Sequence, residues 1–333
     1  DFINRYSDSF SLLQLTILFA KLTMTTLYSR EKEVNPMKVK DAEYAVLFKT
    51  LAYSIISFLS LICLFPLLLI LSGSFTNNES IFQDGYHIIP KVFGVEGYQT
   101  VFRFPSTVIT AYGVTIFVTI VGTVVGLFLI TMAGYVLQRK DFKYRNTFTF
   151  FIYFTTLFQG GLVPWYILLT KHLQLLDTYT VLIFPALMSP FLIILMRTFI
   201  KSSIPEEVIE SAKMDGANDF MIYYRIILQL ALPGMATVGL FLAINYWNDW
   251  FLTSLFITSQ DKYQLQFFLL DFMNSAAAAR DLGAGTGVNL GFDVPIESTK
   301  MAMAVVVTGP IIFLYPFVQR FFVKGLTIGA VKG

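Results

Sequence analysis

Two groups of residues in this chain have the types and spacing to do chemistry. Between Ser203 and Pro233, Glu210, Ser211 and Ala212 are followed two residues on by Asp215, Gly216 and Ala217. Further along, Asn245, Tyr246, Trp247, Asn248 and Asp249 put amides and a carboxylate beside aromatic rings. Neither group pairs a nucleophile with a base, so both suit recognition rather than turnover. Other candidates fail on their chemistry. The run Gly283–Gly287 lacks the Lys-Ser/Thr that completes a phosphate loop and reads as a flexible external loop. His87 and His172 have no companions at metal-ligand spacing. Cys63, the single cysteine, lies in an apolar run where a thiol is inert and cannot form an intrachain disulfide. No metal or bound cofactor is expected, and no nucleic acid.

The first group needs a turn between two helices, and its local sequence provides one. Ser203 can cap a helix, Pro205 fits a first turn that lacks amide partners, and Glu206 and Glu207 face the positive end of the helix dipole. Gly216 suits a left-handed C-terminal cap. Asn218 or Asp219 can restart a helix that runs apolar through Ile226, Ile227 and Leu228 to Pro233. Long apolar runs flank this charged island, so it reads as a polar loop between membrane spans, and something other than lipid must receive it.

The rest of the chain is the membrane frame. Of 333 residues, 55% are hydrophobic and 14% charged, against about 25% charged in soluble domains. Six runs, near 51–72, 108–134, 147–169, 179–200, 233–257 and 301–323, can each cross a hydrocarbon core, which takes about 20 apolar residues. In lipid such spans are helices, because backbone amides find no other partners. Arg139, Lys140, Lys143 and Arg145 crowd the loop after the second run, while Lys38, Lys40 and Lys49 precede the first. Arg320, Lys324 and Lys332 surround the end of the last. The positive-inside rule therefore makes both termini and the 201–232 loop cytoplasmic, with 73–107, 170–178 and 258–300 outside. Residues 1–36 read as an amphipathic extension, dispensable or not native to the chain, with a seventh span as the alternative; Met37 looks like an ordinary start.

The pattern Glu210-Ser211-Ala212, two residues, Asp215-Gly216-Ala217 resembles the "EAA" loop of bacterial ABC-importer permeases. The tail from Gln319 to Gly333 resembles the carboxyl terminus of the maltose-type, carbohydrate-uptake branch. Phe158-Gln159-Gly160-Gly161-Leu162-Val163-Pro164 and Asp215–Phe220 are similar to permeases for oligosaccharide or aldouronate uptake in Gram-positive bacteria. Ser211 replaces an Ala of the family's pattern, and Gln229 stands where a Pro is usual. Over 37–333 the resemblance implies an all-α, type I importer permease fold with six spans and a cytoplasmic coupling helix in the bacterial plasma membrane. It implies a second permease subunit, two ATP-binding subunits that hold ATP and Mg, an extracellular solute-binding lipoprotein and a carbohydrate substrate. Glu210 and Asp215 would then pair with an ATP-binding subunit, Ala212 and Ala217 would give a small contact face, and Gly325, Leu326, Thr327 and Lys332 would add a tail contact.

The second group lies inside the fifth run, where Asp249 would cost about 2.5–3.5 kcal/mol and so should face the bundle interior or a wet cavity. Ring faces beside amide and carboxylate groups suit a sugar; alternatively Asn248 and Asp249 only stitch helices together. Gln159, with Gly160 and Gly161, suggests a broken third span on the same path, or else a simple kink. An importer of an amino acid, phosphate or metal would share the cytoplasmic loop. A six-span channel or sensor would need a selectivity filter or an Arg-rich sensing helix, and the chain has neither.

Overall fold

The computed structural model describes residues 39–103, 105–286, 295–310 and 312. The 1–36 extension and the tail residues Gly325, Leu326, Thr327 and Lys332 lie outside the described residues, as does nearly all of the sixth run beyond residue 310. Among the described residues the regular structure is helical, and the chain divides into two compact units.

The first unit holds the described residues of 39–100 and 295–305. Its long helix, α1 (Val39–Ser74), has 36 residues and so extends about 54 Å, longer than the hydrocarbon core. None of its most apolar window is buried within the chain. Beyond Ser74 the chain folds over the beginning of the helix at 296–310. Asn77 Oδ1 accepts from the amides of Glu79 and Ser80 at 3.0 and 3.3 Å, capping the short Asn78–Asp84 helix. Asn77 Nδ2 donates to Glu96 Oε1 at 2.7 Å. Asn78 Oδ1 accepts from the Glu297 amide at 3.0 Å, and Tyr86 Oη donates to Glu297 Oε2 at 2.9 Å.

The second unit is built around α2 (Pro105–Gln138). Its buried positions, among them Val108, Ala111, Thr115, Val118, Gly122, Gly126, Ile130 and Gly134, recur every three or four residues and make one stripe. Against that stripe lie α4 (Pro190–Ser203) and α6 (Leu232–Trp247). Small residues set the separation: a Cβ on Gly122 would sit 2.5 Å from the Tyr246 ring, and one on Gly134 would sit 3.0 Å from the Arg197 amide nitrogen. Such close approach lets membrane helices gain packing that lipid cannot supply.

Among the described residues two helices, Val46–Ser74 and Pro105–Gln138, are long and apolar enough to span a membrane, and the number rises to five if each of three bent helix pairs counts as one span. The third run breaks at 158–161: α3 (Arg145–Leu157) meets the segment Leu162–His172 at 114°. The cause is local, since Phe158 is extended and Gly161 takes φ +88°. The fourth bends by 49° between Tyr179–Ala186 and Pro190–Ser203, and the segment Asp219–Leu230, which precedes the fifth run, meets Leu232–Trp247 at 82°. Pro190 and Pro233 each sit in the first turn of the following half, where a missing amide costs nothing.

The expectation of a loop across 258–300 needs correction. Leu265–Thr286 is a 22-residue helix, so Gly283, Gly285 and Thr286 end a helix. The run of alanines before them favours that outcome.

Asp177 ties two connecting segments together at φ +55°, a conformation that Asp tolerates better than most residues. Its Oδ1 accepts from the amides of Thr258 and Ser259, each at 3.1 Å. Its Oδ2 accepts from Ser259 Oγ at 2.6 Å and Lys262 Nζ at 2.9 Å. The Ser259 hydroxyl, then Lys262, hold this carboxyl well below the usual carboxylate range. A depressed value means stability that is present above the ordinary carboxylate pKa of about 3.9 and is lost as pH falls through the folded value. Asp177→Ala should therefore lower the unfolding temperature of the purified protein at pH 7, and the gap from the parent should close below about pH 4. A gap that is constant with pH would assign the effect to backbone conformation instead of charge.

Candidate functional site

The 203–233 hairpin folds much as its residues dictate, with shifted ends. Ser203 is the last residue of α4 and caps nothing. Pro205 takes the N-cap position, without a side-chain cap, and α5 (Glu206–Met214) follows with Glu206 and Glu207 in its first turn. At the other end the Ala217 amide donates to the Ala212 carbonyl and the Gly216 amide to the Lys213 carbonyl, each at 3.0 Å. This paired closure is a Schellman motif, and it requires the φ of +82° that Gly216 adopts. Asn218 restarts the chain: its Oδ1 accepts from the Met221 amide at 2.8 Å. The second arm runs Asp219–Ile222, then a π turn at Tyr223–Ile227, then Leu228–Leu230. It ends at Ala231, not at Pro233, because Pro233 belongs to the first turn of α6.

The hairpin has an inner and an outer face. Ile209, Ala212, Ile222, Tyr223 and Ile227 are buried in the chain's own core, and Ala217 packs against it. Glu207, Glu210, Ser211, Asp215 and Gly216 are exposed, as are Met214 (88%), Phe220 (65%) and Tyr224 (62%). The residues picked out by motif thus divide. Glu210, Ser211, Asp215 and Gly216 face outward, whereas Ala212 faces inward, where its small size lets α5 lie close to the bundle. Met214, Phe220 and Tyr224 join the outer face; their signal in the sequence was three large apolar side chains within a polar island.

Three consecutive residues after α2 reach the hairpin. Lys140 pairs with Glu206, Asp141 with Lys213 at 2.6 Å, and Arg139 with Asp219. Arg139 also grips Asp141 with two nitrogens, its Nε donating at 2.7 Å. Its guanidinium lies 5.7 Å from the centroid of the Tyr135 ring, which stacks on Tyr223 at 6.1 Å. Arg139 beside it, and then Lys213, hold the Asp141 carboxyl well below the usual carboxylate range, and Asp141 keeps Arg139 more firmly protonated. A cavity of about 500 Å³ opens here, lined by Met132, Tyr135, Arg139, Phe142, Phe220 and Tyr223.

The second group stands at the end of α6 rather than inside a continuous span. The helix stops at Trp247, and a short helix resumes at Phe251. Tyr246 is buried and its hydroxyl donates to the Ile183 carbonyl at 2.9 Å. Trp247 Nε1 donates to the Val307 carbonyl at 3.4 Å. Asn248 Oδ1 accepts from Gln266 Nε2 at 3.2 Å. Asp249 Oδ1 caps the resumed helix, accepting from the amides of Phe251 and Leu252 at 3.0 and 3.1 Å. Its Oδ2 is buried with no hydrogen-bond partner among the described residues. Asn245 and Gln159 are exposed, Gln159 within the 158–161 break. Tyr246, Trp247 and Asn248 thus each bond to another segment of the chain, whereas among the described residues Asp249 bonds only to the helix that it caps.

Sequence reasoning missed Gln264, which is fully buried. It accepts from Thr253 Oγ1 at 2.9 Å and donates to the Tyr246 carbonyl at 3.2 Å. The neighbouring Leu265 amide donates to Thr115 Oγ1 at 2.8 Å. The bond to the Tyr246 carbonyl satisfies a backbone group freed by the break after Trp247, and Thr115 satisfies the first amide of the Leu265–Thr286 helix, as backbone within a bundle requires.

Comparison with known proteins follows the same lines. The family described as binding-protein-dependent transport system inner membrane component matches residues 126–328. The chain is 35% identical over 287 residues to the polygalacturonan/rhamnogalacturonan transport system permease protein YtcP of Bacillus subtilis (strain 168), covering 86% of this chain and 99% of that protein. It is 40% identical over 273 residues to protein LplC of the same organism, covering 82% and 90%. Among solved structures it is similar to a chain of a bacterial ABC transporter involved in the import of the acidic polysaccharide alginate, with a TM-score of 0.71 and 28% identity over 87% of this chain and all of that one. From the helical frame, the outward-facing hairpin and a family match spanning more than half its length, the chain belongs to the binding-protein-dependent transport system inner membrane components.

Proposed function

We propose that this chain is the membrane-spanning permease subunit of an ATP-driven importer of carbohydrate oligomers. It hydrolyses nothing itself. ATP and Mg are held by two partner subunits, and a second permease and an extracellular solute-binding lipoprotein complete the assembly. The observation that carries the reading is the outer face of the 203–233 hairpin. A polar loop that exposes Glu210, Asp215, Met214, Phe220 and Tyr224 together has the mixed apolar and charged surface that a protein partner covers. The sugar class is supported by the relatives, a polygalacturonan/rhamnogalacturonan transport system permease and a transporter that imports the acidic polysaccharide alginate.

In this mechanism the ATP-binding subunits move against the outer face of α5. The inner face, through Ile209, Ala212, Ile222 and Ile227, passes the displacement to the bundle. The breaks after Leu157 and Trp247 are where the spans yield. Asp249, with one carboxylate oxygen unpartnered among the described residues, is offered to the sugar path along with Asn245 and Gln159.

Two measurements test the proposal. In a strain lacking this gene, uptake of labelled pectin-type oligosaccharides should fall to background and return when the chain is supplied. Unchanged uptake would exclude that substrate class. In a Cys63→Ser background, cysteines at Asn78 and Gln174 should react with an impermeant thiol reagent from outside, whereas cysteines at Asn146 and Asn218 should not. Labelling of Asn218→Cys from outside would overturn the orientation and the importer reading with it.

A further inference from the structure

We infer that Arg139 is a positioning residue that locks the 203–233 hairpin to the end of α2, so that hairpin and span move as one body. The inference rests on the reading of that hairpin as the coupling element.

The three ties after α2 are spread along the hairpin. Lys140 holds the first turn of α5 through Glu206, Asp141 its last turn through Lys213, and Arg139 the start of the second arm through Asp219. The second arm has its own buried anchors in Ile222, Tyr223 and Ile227, but α5 buries only Ile209 and Ala212. A nine-residue helix is too short to hold itself together, so its position depends on what it touches. The ion pairs supply what packing does not.

Arg139 is the centre of the three. Its side chain is 12% exposed, against 73% for Lys140. Exposed pairs are screened and contribute little, whereas a shielded guanidinium left without partners is costly. Its fork takes both oxygens of Asp141 through Nε and Nη2 and reaches Asp219 through Nη1. Lysine, a point charge without a fork, cannot hold two carboxylates in that geometry. The same guanidinium lies over Tyr135 of α2, Tyr135 stacks on Tyr223, and Tyr223 Oη donates to the Phe128 carbonyl of α2 at 2.8 Å. One contiguous path therefore runs from α2 through Arg139 into both arms of the hairpin.

The test uses the complete transporter reconstituted in liposomes with its ATP-binding subunits, second permease and binding protein. Arg139→Gln and Arg139→Lys are compared with the parent for subunit stoichiometry, ATP hydrolysed and labelled oligosaccharide carried. Both should retain the ATP-binding subunits and lose about tenfold in substrate carried per ATP, a size typical of coupling between sites. The surface variants Asp219→Asn and Lys213→Gln should shift the same ratio in the same direction without risk to folding. Lys143→Gln, a neighbouring surface lysine, should match the parent. A parental ratio in Arg139→Gln, or full rescue by lysine, overturns the inference. Gly216→Pro in the same assay separates the two levels: if it uncouples while the Arg139 variants do not, only the lock has failed. If it too is parental, the coupling reading has failed.

Discussion

Gly216→Pro is expected to leave the subunit inserted in the membrane and to abolish or uncouple transport. The insertion energy lies in apolar helices away from the hairpin, so the substitution does not touch it. At Gly216 itself φ is +82° and the amide donates to the Lys213 carbonyl at 3.0 Å. Proline fixes φ near −65° and has no amide hydrogen. Forcing the turn costs about 1–3 kcal/mol in backbone misfit and about 1 kcal/mol for the lost hydrogen bond, enough to unseat a short helix. A Cβ at this position would meet nothing within 4 Å, so Gly216→Ala should be milder, since only φ resists it. Glu210→Lys should also uncouple, for a different reason: it keeps the fold and reverses a charge on the outer face. Asp261→Lys, in the 257–263 connection, should not. Oligosaccharide uptake and ATP hydrolysis by the reconstituted complex, with stoichiometry checked on a gel, decide the matter. Normal coupled transport by both Gly216→Pro and Glu210→Lys would sink the assignment of 203–233 as the coupling element.

The turn was legible because its determinants are local. A left-handed glycine, an Asn cap three residues before the amide it accepts from, and acidic residues in a first turn are each decided within a few positions. The ends were less legible: α4 runs on through Ser203 until Pro205 stops it, and the second arm yields at Ala231, ahead of the proline. The bends of the long runs were signalled only by their glycines and prolines. Hydropathy reads 147–169 as one span because the residues on either side of Gly160 and Gly161 are equally apolar. Least legible was the Arg139 centre. As a basic residue beside a span it reads as an orientation signal, and its partner Asp219 lies 80 residues on. No periodicity carries such a pairing. Apolar residues on both sides place the Asn245–Asp249 group inside the fifth run, whereas the helix stops at Trp247 and Asp249 caps the one that resumes at Phe251.

Two glycines of α2 should respond in opposite ways to the same substitution. At Gly122 a Cβ would lie 2.5 Å from two carbons of the Tyr246 ring. That ring is 1% exposed, and its hydroxyl donates to the Ile183 carbonyl, so it cannot retreat without breaking the bond. Gly122→Ala should therefore push α2 and α6 apart, at about 1–3 kcal/mol for overpacking and about 1 kcal/mol more if the hydroxyl bond is lost. Gly113 lies about two turns earlier on the same helix, and a Cβ there would meet nothing within 4 Å. Gly113→Ala should be neutral or stabilising by up to about 1 kcal/mol, the ordinary helix preference of Ala over Gly. Thermal unfolding of the two purified variants in the same detergent measures the difference, with the parent between them. Equal midpoints would mean that α2 and α6 are not in van der Waals contact at Gly122, and that the packing of Tyr246 against α2 does not set the distance between these two helices.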